Sequence, residues 1–328
     1  MGYLNQFKRF YRNIKRRYFT VFIIIRLLIP ILLTVLALLT VTAVMILVSV
    51  LRPGNMEETV KPELYYLPTK TVEWTGYKGE TQSGWLIVKD KRAPLIFLCH
   101  GYGRDSNRSR LLNLARRLMD AGYNLMMFNF RGHGGTTYTI SSLGYREAED
   151  LKRAIETAQR EKWVDYPQMG VFGISMGAYA SMIAARGNPA IKAMALDSVY
   201  GNVPAFLRGR VEAILGMKSS IVYGVVSLFF DVYFMGTPST PPIRANDLSD
   251  KAVLFLVGPP NQPLSAETKK LEAFLNCKKY EAATPAPRDT LVYGDEIQRY
   301  DELIVNFFLT ELPIPLEAPK TDLPAPVN

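Results

Sequence analysis

Twenty-five consecutive residues, Leu27 to Leu51, carry no charge and are bounded by Arg26 and Arg52. At about 1.5 Å rise per residue, a helix of that length exceeds the roughly 30 Å hydrocarbon thickness of a bilayer, so the run predicts a transmembrane helix. Pro30 falls in its first turn, where a missing N–H costs little, and Arg26 can reach toward the headgroups. A cleaved signal peptide is the competing reading, but it would have a shorter apolar region and a small-residue cleavage site, and no such site follows Val50. Residues 52–68, rich in proline and mixed charge, read as a linker. Beyond them come two strand-like runs, Thr71 to Trp74 and Gly84 to Val88.

The pattern then alternates. Pro94 to Cys99 is a short apolar run. Arg108 to Ala121 has apolar residues at helical spacing and stops at Gly122, and Tyr123 to Phe130 is apolar again. A long amphipathic helix is predicted over Leu143 to Trp163, a buried strand over Met169 to Phe172, a helix over Ser175 to Arg186 and a strand over Ile191 to Leu196. Ala252 to Val257, Ser265 to Cys277, Tyr280 to Ala283 and Ile297 to Leu312 continue the alternation. Strands apolar on both faces, separated by helices, predict an α/β fold: one domain over 69–312 with a mostly parallel sheet flanked by helices.

Residues 202–247 interrupt this rhythm with a connection far longer than the usual few residues. Within it, Ile221 to Phe230 is uncharged and too short to cross a bilayer. A helical lid over a pocket is one reading, with Tyr223, Phe229, Phe230, Tyr233 and Phe234 lining an apolar cleft; packing against the core and contact with a membrane surface are the others. The tail, 313–328, is proline-rich without periodicity and reads as unstructured.

Charge sharpens the picture at the N-terminus. The net charge is +9, but eight of the 39 basic residues precede the first acid, Glu57, leaving 31 basic against 30 acidic residues from there on. The globular part is therefore nearly neutral, which argues against nucleic-acid binding through a basic face. A basic arm over 1–26 ahead of an anchor over 27–51 predicts a single-pass protein with a cytoplasmic N-terminus and an extracytoplasmic domain. Its partner through 27–51 is the lipid bilayer. Cys99 and Cys277 are too few for a disulfide framework, and Cys99, ending an apolar strand, reads as a buried thiol. Two histidines and two distant cysteines predict no metal site, and no glycine-rich stretch is followed by the Lys-Ser/Thr of a phosphate cradle, so no cofactor is expected.

The chemistry centres on Gly173-Ile174-Ser175-Met176-Gly177, set between a predicted strand and a predicted helix. Glycines flank the serine because a nucleophile lifted on a sharp strand-to-helix turn leaves no room for bulky neighbours. Two further motifs accompany it: His100-Gly101-Tyr102-Gly103 after a strand, and Asn129-Phe130-Arg131-Gly132-His133-Gly134 followed by Leu143 to Asp150 at a helix start. Together these residues resemble the α/β-hydrolase superfamily over about Leu95 to Phe308, most closely its serine aminopeptidase-, lipase- and esterase-like members with a short helical lid. The resemblance implies Ser175 as nucleophile toward an ester, thioester or amide with an apolar acyl part, and the N–H groups of Met176 and Tyr102 as the oxyanion hole.

The same resemblance places the acid in a Gly-x-x-Asp turn after the strand 252–257, where this chain has Gly258-Pro259-Pro260-Asn261, and the histidine near Arg288 and Asp289. Both histidines lie before Ser175, and none follows it. Asn129 stands where the loop usually has aspartate. Asp197, ending the preceding strand, is the best substitute acid; His133 could approach Ser175 as base or fix the Arg131 loop, and His100 braces the oxyanion turn. Two readings remain: a membrane-anchored serine hydrolase of unusual mechanism, in which an unrecognised or partner-supplied base activates Ser175, and a catalytically inactive pseudo-hydrolase acting in ligand binding or scaffolding at the membrane.

Overall fold

The computed structural model describes residues 2–54, 56–137, 140–165, 167–235, 242–291 and 294–315; residues 316–328 of the predicted tail lie outside them. The chain forms two compact units, one made of Met1–Val48 and Val211–Tyr233, the other of the remaining chain. The larger unit is built on one eight-stranded sheet. Its strands are β1 (Thr69–Thr75), β2 (Thr81–Ile87), β3 (Leu95–Cys99), β4 (Asn124–Phe128), β5 (Met169–Ile174), β6 (Ile191–Asp197), β7 (Ala252–Val257) and β8 (Lys278–Ala283), in the spatial order β1-β2-β4-β3-β5-β6-β7-β8. β2 runs antiparallel to both β1 and β4, and every other neighbouring pair is parallel.

The five inner parallel strands are almost wholly buried because each face meets helices, which is why they read as largely apolar runs, interrupted in β6 by half-buried Lys192. Alternate residues divide between the faces. Ile96 and Leu98, Leu125 and Met127, Phe172 and Ile174, Ala193 and Ala195, and Leu254 and Leu256 share one core with α2 (Leu112–Asp120) and α8 (Asp295–Glu311), through Leu114, Leu118, Ile304 and Phe308. Gly170 permits this packing: a Cβ there would sit 2.8 Å from the Phe308 ring and 3.0 Å from Leu312. α3 (Tyr145–Arg160) and α4 (Met176–Ala184) pack on each other, with α3 meeting β1 and α4 meeting β3, β5 and β6. α7 (Ser265–Phe274) precedes β8 and packs on β7.

The segment predicted as a linker is a strap. A short turn of helix at Pro62–Tyr65 follows Glu58, whose carboxylate takes two-pronged contact from Arg108 at 2.9–3.1 Å and one hydrogen bond from Asn129 Nδ2 at 3.0 Å. The Arg108 guanidinium lies 3.5 Å from the centre of the Trp85 ring, so the pair is held by stacking as well as charge.

The smaller unit contains α1 (Gly2–Leu51) as far as Val48, a continuous helix that includes both the predicted arm and the predicted anchor, with Pro30 inside it. Among the described residues it is the one helix long and apolar enough to cross a membrane. The predicted insertion folds as α5 (Val203–Leu215) and α6 (Ser220–Tyr233); residues 236–241 lie outside the described chain. Of the aromatic residues predicted to line a cleft, Phe230 and Phe234 are buried, Tyr223 and Phe229 half-buried, and Tyr233 exposed.

Candidate active site

β5 ends at Ile174 and α4 begins at Met176, leaving Ser175 alone to turn the chain with φ +48° and ψ −108°. L residues seldom occupy this region, and the turn persists because its surroundings fix it. A Cβ on Gly173 would lie 2.7 Å from the backbone of Gly177 and Ala178, and one on Gly177 would collide with the carbonyl oxygens of Cys99 and His100. Both glycines are therefore demanded by backbone crowding, and Ser175 is left partly exposed at the sheet's carboxyl edge. Its Oγ makes no hydrogen bond to any described residue. The N–H groups of Met176, first in α4, and of Tyr102, in the turn after β3, are likewise without an acceptor among the described residues.

Both histidines are buried and bonded through both ring nitrogens. His100 Nδ1 donates to the Gly101 carbonyl at 2.8 Å, and its Nε2 accepts the Phe130 N–H at 2.9 Å. His133 Nδ1 donates to the Arg131 carbonyl at 3.0 Å, and its Nε2 accepts the Gly103 N–H at 3.3 Å. These tautomers follow from the partners: the carbonyl needs a proton from the ring and the amide needs a lone pair. Burial pushes His133 down to about 4 and His100 well below the ordinary imidazole range, where the neighbouring His133 adds to the effect. The two rings, 5.0 Å apart, thereby join the 100–103 turn to the 129–133 loop.

That loop is fixed from below. Arg131 pairs with Asp150 at 2.6 Å and with Glu80 at 2.9 Å. Burial lifts the Asp150 carboxyl to about 6, with Arg131 opposing the shift. Buried Glu147 accepts from the Ser142 and Gly144 N–H groups and both serine hydroxyls at 141 and 142, which starts α3 and closes the loop. Asn129 Nδ2 donates to Glu58 and to the Gly134 carbonyl while its Oδ1 accepts the Arg108 N–H at 2.8 Å. An aspartate at 129 has no proton to give Glu58 and would repel it, so the departure from the usual loop goes with the strap.

Asp197 is buried at the end of β6. Its Oδ1 accepts from Ser198 Oγ at 2.8 Å; its Oδ2 accepts the Arg288 N–H at 2.7 Å and the Tyr300 hydroxyl at 2.5 Å. The structure therefore joins Asp197 to the segment where the resemblance puts a histidine. The residue there is Arg288, whose guanidinium is buried and bonded to both oxygens of Asp301 at 2.5 and 3.0 Å. Burial raises the Asp301 carboxyl, with Arg288 and Arg117 opposing. Asn261, in the turn after β7, is exposed. Tyr300 and Asp301 escaped the sequence reading, although an acid on the apolar stripe of α8, between Tyr300 and Ile304, is the trace that a buried pair leaves.

Tyr102 carries the site toward the strap and the insertion. Its hydroxyl donates to the Val50 carbonyl at 2.6 Å and is pushed by burial up to about 12. Its ring meets Phe206 edge-on at 5.3 Å, and Phe206, Tyr200 and Tyr179 stack in series at 4.5 and 4.9 Å. No group of His, Cys, Asp and Glu suited to a metal ion occurs among the described residues.

A serine on a strained β5–α4 elbow and this strand order give the chain an α/β-hydrolase fold. The family model "serine aminopeptidase, S33" matches residues 90–223. The uncharacterized protein YfhR of Escherichia coli O157:H7 is 27% identical over 139 residues, 40% of this chain and 48% of that protein. The chain thus spans about half the length of that relative. Among solved structures, the esterase Pf2001 of Pyrococcus furiosus aligns with a TM-score of 0.59 at 19% identity, over 79% of this chain and 99% of that one. Carboxyl esterase 2 of Tuber melanosporum aligns at 0.55 and 15% identity, over 80% and 91%. At these identities the structural likeness shows the fold.

Proposed function

We propose that this chain is a membrane-anchored pseudo-hydrolase: it keeps the esterase-like fold, its elbow and its oxyanion turn, and binds or presents a ligand with an apolar acyl part without cleaving it. The observation that carries this reading is the state of the bases. Both histidines hold neutral rings spent on backbone hydrogen bonds, and the position beside Asp197 is taken by Arg288, whose charge is spent on Asp301. A serine hydroxyl without a proton acceptor is a poor nucleophile, and losing a triad member leaves a residual rate of roughly 10³ to 10⁴ over water from the oxyanion hole and binding. The likeness of the fold to esterases supports a ligand of acyl chemistry. α1 supports a single-pass anchor, with its basic arm in the cytoplasm and the domain on the other side.

One observation favours the alternative of an unusual serine hydrolase: the strain at Ser175 is retained, and nothing among the described residues fills the two N–H groups next to it. Hydrolysis of p-nitrophenyl esters of short and medium acyl length by the full chain in nanodiscs, compared with Ser175→Ala, separates the two. The pseudo-hydrolase reading predicts the same rate for both proteins. A rate at least a hundredfold higher for the unaltered chain would establish the hydrolase.

A further inference from the structure

α6 is apolar on its outside. Across the fourteen residues Ser220–Tyr233 its single charge is Asp231. Val226 and Phe230 are buried, whereas Ile221, Leu228 and Val232 are 71, 60 and 53% exposed. These three, with exposed Gly224, recur at spacings of three and four residues and form one stripe. Ile214 at 43% and Met217 at 64% extend the exposed apolar surface ahead of the helix. A patch of this kind on a soluble surface marks an interaction site.

What covers it is indicated by the unit it belongs to. Residues 211–233 fold into the same compact unit as residues 1–48, which hold nearly all of the helix able to cross a membrane. α6 spans about 21 Å at 1.5 Å per residue, too short to traverse a hydrocarbon core but long enough to lie in its boundary. The flanks suit that placement: exposed Lys218 precedes the helix, exposed Tyr233 ends it, and exposed Asp231 sits at the margin of the stripe. A helix with one apolar face and polar groups at its rim partitions into the headgroup and acyl boundary, and amphipathic Tyr and Lys favour that level.

We propose that α6 is a membrane-contacting helix, its Ile221, Leu228 and Val232 stripe immersed in lipid acyl chains next to the anchor. The proposal rests on α1 being an anchor, so the test reads both. The full chain carrying Cys277→Ser is placed in nanodiscs with Leu228→Cys, Leu36→Cys or Glu156→Cys, each labelled with a small fluorophore. Quenching is then measured with lipids bearing a spin label high or low on the acyl chain, and thermal transitions check that each variant is folded. The expected result is at least twofold quenching at 228 by the shallow label, quenching at 36 by the deep label, and none at 156. Quenching at 36 with 228 as silent as 156 would overturn the proposal and leave the anchor. Silence at both would overturn the two together. Disulfide-linked dimers of unlabelled Leu228→Cys without lipid quenching would assign the stripe to a second copy of the chain and also overturn it.

Discussion

A histidine serves as a base while one ring nitrogen is free to take a proton, and in this chain neither has one to spare. His133 gives its Nδ1 proton to Arg131 and its Nε2 lone pair to Gly103, so protonating it breaks a buried backbone contact as well as burying a charge. Nitrogen NMR of the imidazoles is expected to show the Nδ1–H tautomer of His133 persisting to a midpoint of about 4; titration near the ordinary 6.5 would contradict this geometry. Arg288 is the second decisive residue. It stands near the place where the resemblance puts a histidine, and its guanidinium is the partner of buried Asp301. Arg288→Ala strands that carboxylate and is expected to cost about 3–5 kcal/mol in denaturant unfolding, whereas Arg288→Met with Asp301→Leu recovers most of the loss. Equal stability of Arg288→Ala and the unaltered chain would show that the pair is not formed.

At the scale of elements, periodicity carried most of the fold. The inner strands are apolar on both faces, so runs such as Ala252–Val257 are legible without any partner, and the strand–turn–helix around Ser175 is marked by two glycines that crowding requires. What periodicity misses is side-chain bonding between distant segments. Residues 52–68 read as a linker because prolines and mixed charge carry no period, yet Glu58 is bonded to Arg108 and Asn129, 50 and 71 residues away. Asp301 was hidden likewise, whereas the fixing of the Arg131 loop by His133 and the bracing of the turn by His100 were legible from their motifs, only the backbone atoms they bond being beyond any spacing rule. The strap gives a prediction of its own. Asn129→Asp sets a carboxylate against Glu58 and is expected to destabilise by about 1–3 kcal/mol, and Glu58→Gln in the same chain restores a donor and reverses a good part of it. Additive effects in that double-mutant cycle would mean that Asn129 and Glu58 do not interact.

For the whole molecule, the buried titratable groups set how stability responds to acid. The folded chain holds both histidines neutral below their ordinary pKa, so it binds fewer protons than the unfolded chain as pH falls from about 6.5 toward 4. Their contribution is fully present above that window and drains away within it. At 1.36 kcal/mol per unit, His133 alone loses roughly 2 kcal/mol between pH 6.5 and 5. Asp150, raised to about 6, acts in the opposite sense, because the folded chain keeps a proton that the unfolded chain releases. The buried Asp301 carboxyl, raised likewise, adds to Asp150, so the histidine contribution is read by difference: from pH 7 to pH 5 the unaltered chain is expected to lose unfolding temperature relative to His133→Gln. Parallel pH profiles for the two proteins would contradict a neutral buried ring at His133.

The account turns on Ser175 being shaped like a nucleophile and left without a base. The most direct test is treatment of the full chain in nanodiscs with an active-site-directed fluorophosphonate, reading adducts by mass spectrometry beside Ser175→Ala. The pseudo-hydrolase account predicts no adduct on Ser175 in a chain whose thermal transition shows it folded. A stoichiometric adduct on Ser175 that is lost in the variant would contradict it and establish an activated serine.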